Sequence, residues 1–355
     1  MPSEPRGSAG APPGANVEAL AAAVRGGDRR ALAKAITLVE SVRADHQEAA
    51  QRLLEFLLPS AGHAARVGVS GVPGVGKSTF IESFGLHLLG LGKRVAVLAV
   101  DPSSARSGGS ILGDKTRMPR LAAAADAFIR PSPSAGSLGG VTRRTREAMI
   151  VCEAAGYDVV LVETVGVGQS EVAVASMVDF FLVLLLPGAG DELQGLKKGI
   201  IELADALAVN KADGDGVARA ELAASQYTGA LHLFRHTSEH WDPPVLTISA
   251  LEARGMDRVW AVIEQHRATL GASGELAEKR RAQQQAWLWS MLRDGLERQF
   301  LDRADVQRLL PEMEQAVARA ELTPTQAARR LLALLGVRDD NGVPARGRSR
   351  HARTG

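Results

Sequence analysis

Between Gly71 and Ser78 the chain reads GVPGVGKS, with the apolar run ARVGVSG ahead of it and the helically spaced STFIESFGLHLLGLG behind. A buried strand that turns through three glycines into a helix leaves few folds open, because the chain must then return to a neighbouring parallel strand. The turn fits the pattern G-x-x-x-x-G-K-[ST] at every fixed position. Backbone N–H groups can converge on an anion only where no side chain obstructs them, and Gly71, Gly74 and Gly76 stand at those places. Lys77 offers charge to the outer phosphates of a nucleotide, and the Ser78 hydroxyl can ligate Mg2+. Val75 and Thr79 belong to the same phosphate-contacting stretch, at the anion-attracting end of the helix. A glycine turn that holds no ligand is the competing reading.

The remaining pattern extends this start. Strand-like runs KRVAVLAVD, YDVVLVET, DFFLVLLLPG, DALAVNKAD and PPVLTISA alternate with helical segments. Their near-continuous apolar character indicates a mostly parallel α/β sheet covered on both faces, a P-loop domain over residues 63–270. Residues 17–62 are apolar at helical spacing with breaks at GGD and near RADH, which predicts an N-terminal helical subdomain of about three helices. Beyond the sheet, residues 271–336 predict only helices: a long one carrying Trp287, Met291, Leu292 and Leu296, then two shorter ones opened by Asp302 and by Thr323 before Pro324. Residues 1–16 and the basic 337–355 read as disordered.

Composition excludes several classes. Among 355 residues the formal net charge is only +2, and much of the basic excess lies in the tail RGRSRHARTG, so nucleic-acid binding is not expected. Neither a signal peptide nor a membrane-length apolar run is visible, and a single cysteine, Cys152, permits no intrachain disulfide. A cytoplasmic protein is expected.

A second motif selects the base. AVNKADGD puts Asn210, Lys211 and Asp213 at the end of a strand, matching the N-K-x-D guanine box. The Asp213 carboxylate can accept from the guanine ring N–H and exocyclic amine, a donor pair adenine lacks, so the wrong base leaves an acceptor unpaired. ISALEARG then supplies Ser249, Ala250 and Leu251, with the Ala250 N–H expected to reach the guanine oxygen. In LVETVGVG, Glu163 and Gly166 form an E-x-x-G version of the D-x-x-G motif: the acid can hold Mg2+ through water and the glycine N–H can sense the γ-phosphate. Where Ras-like GTPases carry a water-orienting glutamine, this chain has Val167. Asp101 ends a strand and is read as a magnesium or water contact, with a turn cap as the alternative. Asp114, in RSGGSILGDKTRM, is read equally as a site acid or a solvated charge.

On GVPGVGKST, VLAVDPSSARSGGSILGDKTRM, VETVGVGQSE, LLLPGAGDELQGLKKGI and VNKAD, the chain resembles the methylmalonyl-CoA mutase-associated GTPases, the MeaB/ArgK group of the SIMIBI-class P-loop G proteins, from about residue 17 to residue 336. The resemblance implies a homodimeric, GTP-binding and GTP-hydrolysing metallochaperone. It would bind an adenosylcobalamin-dependent acyl-CoA mutase, gate its cofactor loading and protect it from inactivation. An adenosyltransferase is a further partner to expect. By the same resemblance Lys77 and Ser78 contact phosphate and Mg2+, Asp101 and Glu163 surround the metal, Asp114 lies in a switch region, and Gln194 and Lys197 belong to an additional switch. Dimerisation is expected through the C-terminal arm, whose Trp287, Trp289, Met291, Leu292 and Phe300 could otherwise fold back on the GTPase domain.

Two other readings stay open. A nickel-insertion GTPase would carry metal on Cys/His clusters, for which His232, His236 and His240 at four-residue spacing are the only hint. A nucleotide-dependent binding module would use hydrolysis as a slow timer.

Overall fold

The computed structural model describes residues 17–100, 117–131, 138–164, 169–188, 198–231 and 238–336. Strands β1 (Ala65–Gly71), β4 (Val159–Thr164) and β5 (Phe180–Leu185) are buried at every residue, as apolar strands must be when helices cover both sheet faces. With β2 (Val95–Val100), β3 (Ala127–Arg130), β6 (Ala206–Val209) and β7 (Val245–Thr247) they form one sheet in the order β3-β2-β4-β1-β5-β6-β7. Every pairing in it is parallel, which is the expected α/β P-loop architecture. One strand, β3, was not in the sequence reading. It has four residues, is followed at once by Pro131 and pairs only with β2 at the sheet edge, so its apolar run is too short to stand out.

The helix after the glycine turn, α4 (Lys77–Gly90), lays Phe80, Ile81, Phe84 and Leu88 on the sheet, all fully buried. Phe80 and Phe84 stack with ring centroids 5.3 Å apart, and Phe84 meets Trp260 of the helix Met256–Ser273. Each such phenylalanine contributes on the order of 2–3 kcal/mol through burial alone, which fixes the helix start where the turn needs it.

At the N-terminus α1 (Val17–Arg25), α2 (Arg29–Val39) and α3 (Ala44–Leu57) pack on one another, and α2 and α3 also rest on the helix Leu138–Ala154. The break at Gly26–Asp28 is a cap. Asp28 accepts from the N–H groups of Arg30 and Ala31, and these bonds hold its carboxyl below the usual range.

Packing divides the chain into a unit that ends at Gln285 and a second that begins at Ala286, a boundary inside the long helix Glu275–Leu301. The first turns of that helix are fastened to the amino ends of the central strands. Arg280 grips the Asp179 carboxylate with Nε and Nη2, both at 2.7 Å, and Lys279 reaches Asp179 O at 2.7 Å and Asp205 Oδ2 at 3.1 Å. Gln283 Nε2 donates to Val178 O at 2.8 Å. In the second unit, Thr323 caps the helix Pro324–Leu332 as the sequence suggests, and with Gln326 it forms a capping box. Asp302 does not cap its helix. Ala304–Ala318 starts behind Arg303, and the acid that serves its first turn is Asp305, which accepts from Val306 N and pairs with Arg303. No helix among the described residues is long and apolar enough to cross a membrane.

Candidate nucleotide-binding site

The carboxyl ends of β1, β4, β6 and β7 share one edge of the sheet, where open parallel sheets bind their ligands. Leaving β1, the glycine turn takes up left-handed backbone at Gly74 (φ 80°) and Gly76 (φ 96°). A Cβ on Gly76 would also sit 2.8 Å from Asn210 Nδ2, and one on Gly71 would sit 2.5 Å from the Leu184 carbonyl of β5. The glycines are therefore demanded by the loop's seat as well as by the space in front of it. Val75 is fully buried beneath the turn.

Lys77 opens α4 and curls over the turn, its Nζ donating to Gly71 O at 2.7 Å and Val72 O at 3.3 Å. Burial lowers its pKa below the usual lysine value, while the charges of Glu163 and Glu171 pull it part of the way back. Ser78 Oγ donates to Glu163 Oε1 at 3.2 Å. Adjacent parallel strands produce this meeting, since β4 runs beside β1 with Glu163 level with Val69. A hydroxyl and a buried carboxylate at this distance are hard oxygen donors suited to Mg2+, so the residues present fit the ion. Thr79 is exposed on the same first turn, whose N–H groups have no acceptor within the helix.

At the end of β6, Asn210 is almost completely buried and bridges two loops. Its Nδ2 donates to Val75 O at 2.8 Å, and its Oδ1 accepts from Ala250 N at 2.9 Å. The Ala250 N–H is thus bound to Asn210, the first residue of the box. Lys211 follows with φ 61°, a left-handed turn that is rare without glycine. Asp213 Oδ2 accepts from Ser249 Oγ at 2.7 Å, while Oδ1 takes no hydrogen bond among the described residues. Leu251, 78% exposed, stands at the tip of the turn after β7.

The model of the family described as Methylmalonyl Co-A mutase-associated GTPase MeaB matches residues 32–305. The chain belongs to this family. GTPase ArgK of Escherichia coli is 49% identical over 308 residues, covering 87% of this chain and 93% of its own. The mouse protein named methylmalonic aciduria type A homolog, mitochondrial, is 48% identical over 316 residues, covering 86% and 76%. Among solved structures, an LAO/AO transport system kinase superposes with a TM-score of 0.74 at 41% identity, covering 91% of this chain and 98% of its own. This MeaB-family chain is accordingly a GTPase, an enzyme that hydrolyses GTP.

Of the residues singled out in the MeaB-family sequence, the structure brings together Gly71, Gly74, Val75, Gly76, Lys77, Ser78 and Glu163 on one side, and Asn210, Lys211, Asp213, Ser249, Ala250 and Leu251 on the other, joined through Asn210. Asp101, Asp114, Gly166, Val167, Gln194 and Lys197 lie outside the described residues, as do His232 and His236. His240 Nδ1 lies 3.0 Å from Glu275 Oε2, and no group of three or more His, Cys, Asp or Glu able to hold a metal occurs among the described residues. Cys152 is fully buried, and burial pushes its thiol far above the usual range, which makes it an inert apolar group.

Two acids escaped the sequence reading. Glu171, buried in the helix Gln169–Ala175, acts on Lys77 by its charge. Glu82, buried in α4, accepts from Arg120 N at 2.9 Å and Leu121 N at 3.1 Å and so anchors the start of the helix Pro119–Ala123. The signal for Glu82 was present: an acid set among the apolar Phe80, Ile81 and Phe84.

Proposed function

We propose that this GTPase uses GTP binding and hydrolysis to gate the loading of adenosylcobalamin into methylmalonyl-CoA mutase or a related acyl-CoA mutase, and to protect that enzyme. The grouping of Lys77, Ser78 and Glu163 at one sheet edge, in a chain of a family named for its association with methylmalonyl-CoA mutase, carries the reading. Gly71 to Thr79 cradle the phosphates, with Lys77 moving from its own loop carbonyls to the outer phosphates. Ser78, Asp101 and Glu163 hold Mg2+, which when bound offsets the charge on the phosphate oxygens. Asn210, Lys211, Asp213, Ser249, Ala250 and Leu251 form the guanine end. Asp101, Asp114, Glu163 and Gly166 handle the attacking water, and Val167 in the glutamine position keeps unassisted hydrolysis slow. Gln194 and Lys197 relay the bound mutase to the nucleotide, and the C-terminal arm joins two copies.

Gating requires the mutase to have different affinities for the GTP and GDP states. Cofactor transfer to apo-mutase from its adenosyltransferase, followed by the cobalamin spectrum, is expected to depend on nucleotide. It should fail with Lys77→Ala or with a non-cleavable GTP analogue. Transfer indifferent to both would leave a GTPase without the chaperone role.

A further inference from the structure

Two non-glycine residues on the base side of the site hold left-handed backbone: Lys211 (φ 61°) inside the box and Ala253 (φ 54°) in the turn after β7. Such residues persist only where their surroundings over-determine them. Arg254 ends the second turn and links it to the first. Its backbone closes a two-bond bridge with Ser249, at 3.1 and 2.9 Å, and its Nη2 donates to Ala212 O, the carbonyl between Lys211 and Asp213. The N–H of Ala212 donates in turn to Ile248 O at 3.0 Å. Ala212 is therefore pinned through both of its backbone polar groups to the one segment that also supplies Ser249, the partner of Asp213 Oδ2.

We propose that Arg254 is a positioning residue for base specificity: its guanidinium fixes the backbone of the box against the turn after β7, so that Asp213 meets the base at a set place. The proposal rests on the reading of Asn210 to Asp213 as a guanine box. Among the described residues Arg254 makes no hydrogen bond or ion pair with a side chain of the site. It acts through the Ala212 carbonyl, a charge-assisted bond that would otherwise fall to water. Its ion pair with Glu252, at 3.0 Å, has both side chains more than half exposed and so contributes little. Loss of the guanidinium should leave the fold standing and relax the aim of Asp213. Discrimination that depends on an acceptor being correctly paired or left unpaired is sensitive to such relaxation.

The test compares binding of GDP, inosine diphosphate and ADP by calorimetry, with melting temperature in parallel. Inosine diphosphate lacks the exocyclic amine that Asp213 would accept. Arg254→Ala is expected to weaken GDP about tenfold, as for loss of a bond to a charged group, and inosine diphosphate by only about twofold, so that their ratio narrows. KM for GTP should rise with kcat retained, Arg254→Lys should restore part of the ratio, and Glu252→Gln should leave it unchanged. Equal weakening of both nucleotides, or a lower melting temperature with an unchanged ratio, would reduce Arg254 to a structural residue and overturn the proposal. If the alanine variant does not fold, Arg254→Lys and Arg254→Gln read the same ratio. A wild-type protein that binds ADP as tightly as GDP would instead remove the guanine box itself.

Discussion

Asn210 shows how much one side chain can couple. Its amide spends the donor on the phosphate loop and the acceptor on the turn after β7, so the two halves of the nucleotide site cannot shift independently. Asn210→Ala leaves Val75 O and Ala250 N unpaired in a buried place, which costs about 1–3 kcal/mol. Dissociation of a fluorescent GDP should accelerate at least tenfold by stopped flow, and an unchanged rate would mean that the bridge does not govern nucleotide retention. The N-K-x-D pattern pointed to Asn210 in the sequence, but only the fold reveals what it bonds. The glycines were legible for a similar reason and with a similar limit. Their spacing announces a phosphate loop, whereas the tight seats of Gly71 against Leu184 and of Gly76 against Asn210 depend on strands more than a hundred residues away. Arg254 carries no motif at all, and its part emerges only when the Ala212 carbonyl is located.

Among elements, the apolar strands and the N-terminal helices could be read from periodicity, since β1, β4 and β5 are buried at every position and the GGD break carries its own cap in Asp28. What periodicity could not show is the charged fastening of the long helix to the sheet. Asp179 and Asp205 precede β5 and β6, and Lys279 and Arg280 meet them from the first turns of a helix, ELAEKRRAQQQ, which read simply as polar. Burial pushes the Asp179 carboxyl up, but the bond and charge of Arg280 and the backbone and charge of Arg66 outweigh it, and the net pKa falls below the ordinary value. Asp205 behaves alike: burial raises it, while the Lys279 charge and the His266 ring, 3.5 Å away, outweigh burial and lower it. With folded-state values below the unfolded ones, this stabilisation is complete above the ordinary carboxylate range and is lost as pH falls through the folded values. The urea midpoint should therefore fall as the pH drops below the ordinary carboxylate value of about 4. Arg280→Ala leaves a buried carboxylate short of its partner and should cost about 3 kcal/mol at neutral pH while flattening that acid slope. A mutant with the wild-type slope would place the acid sensitivity elsewhere.

For the molecule as a whole, the long helix poses the assembly question. None of its 27 residues is buried, yet Leu288, Trp289, Leu292 and Leu296 are 57%, 60%, 45% and 67% exposed. Spacings of three and four residues put them along one stripe over more than two turns, an apolar seam of the kind a second helix covers. A cut at residue 272 would confuse the issue, because it also removes Lys279, Arg280 and Gln283 and with them the fastening to Asp179, Asp205 and Val178. The cleaner experiment keeps the full chain and charges the seam. Leu292→Glu with Leu296→Glu should convert the proposed dimer to a monomer by light scattering and leave the affinity for GDP unchanged, since the proposed nucleotide-contacting residues all precede residue 255. A chain ending at Gln285, which keeps every bond of the fastening, should likewise be monomeric and bind GDP. If both proteins remain dimeric, the two copies meet through another surface, and the exposed leucines must be assigned to a different partner.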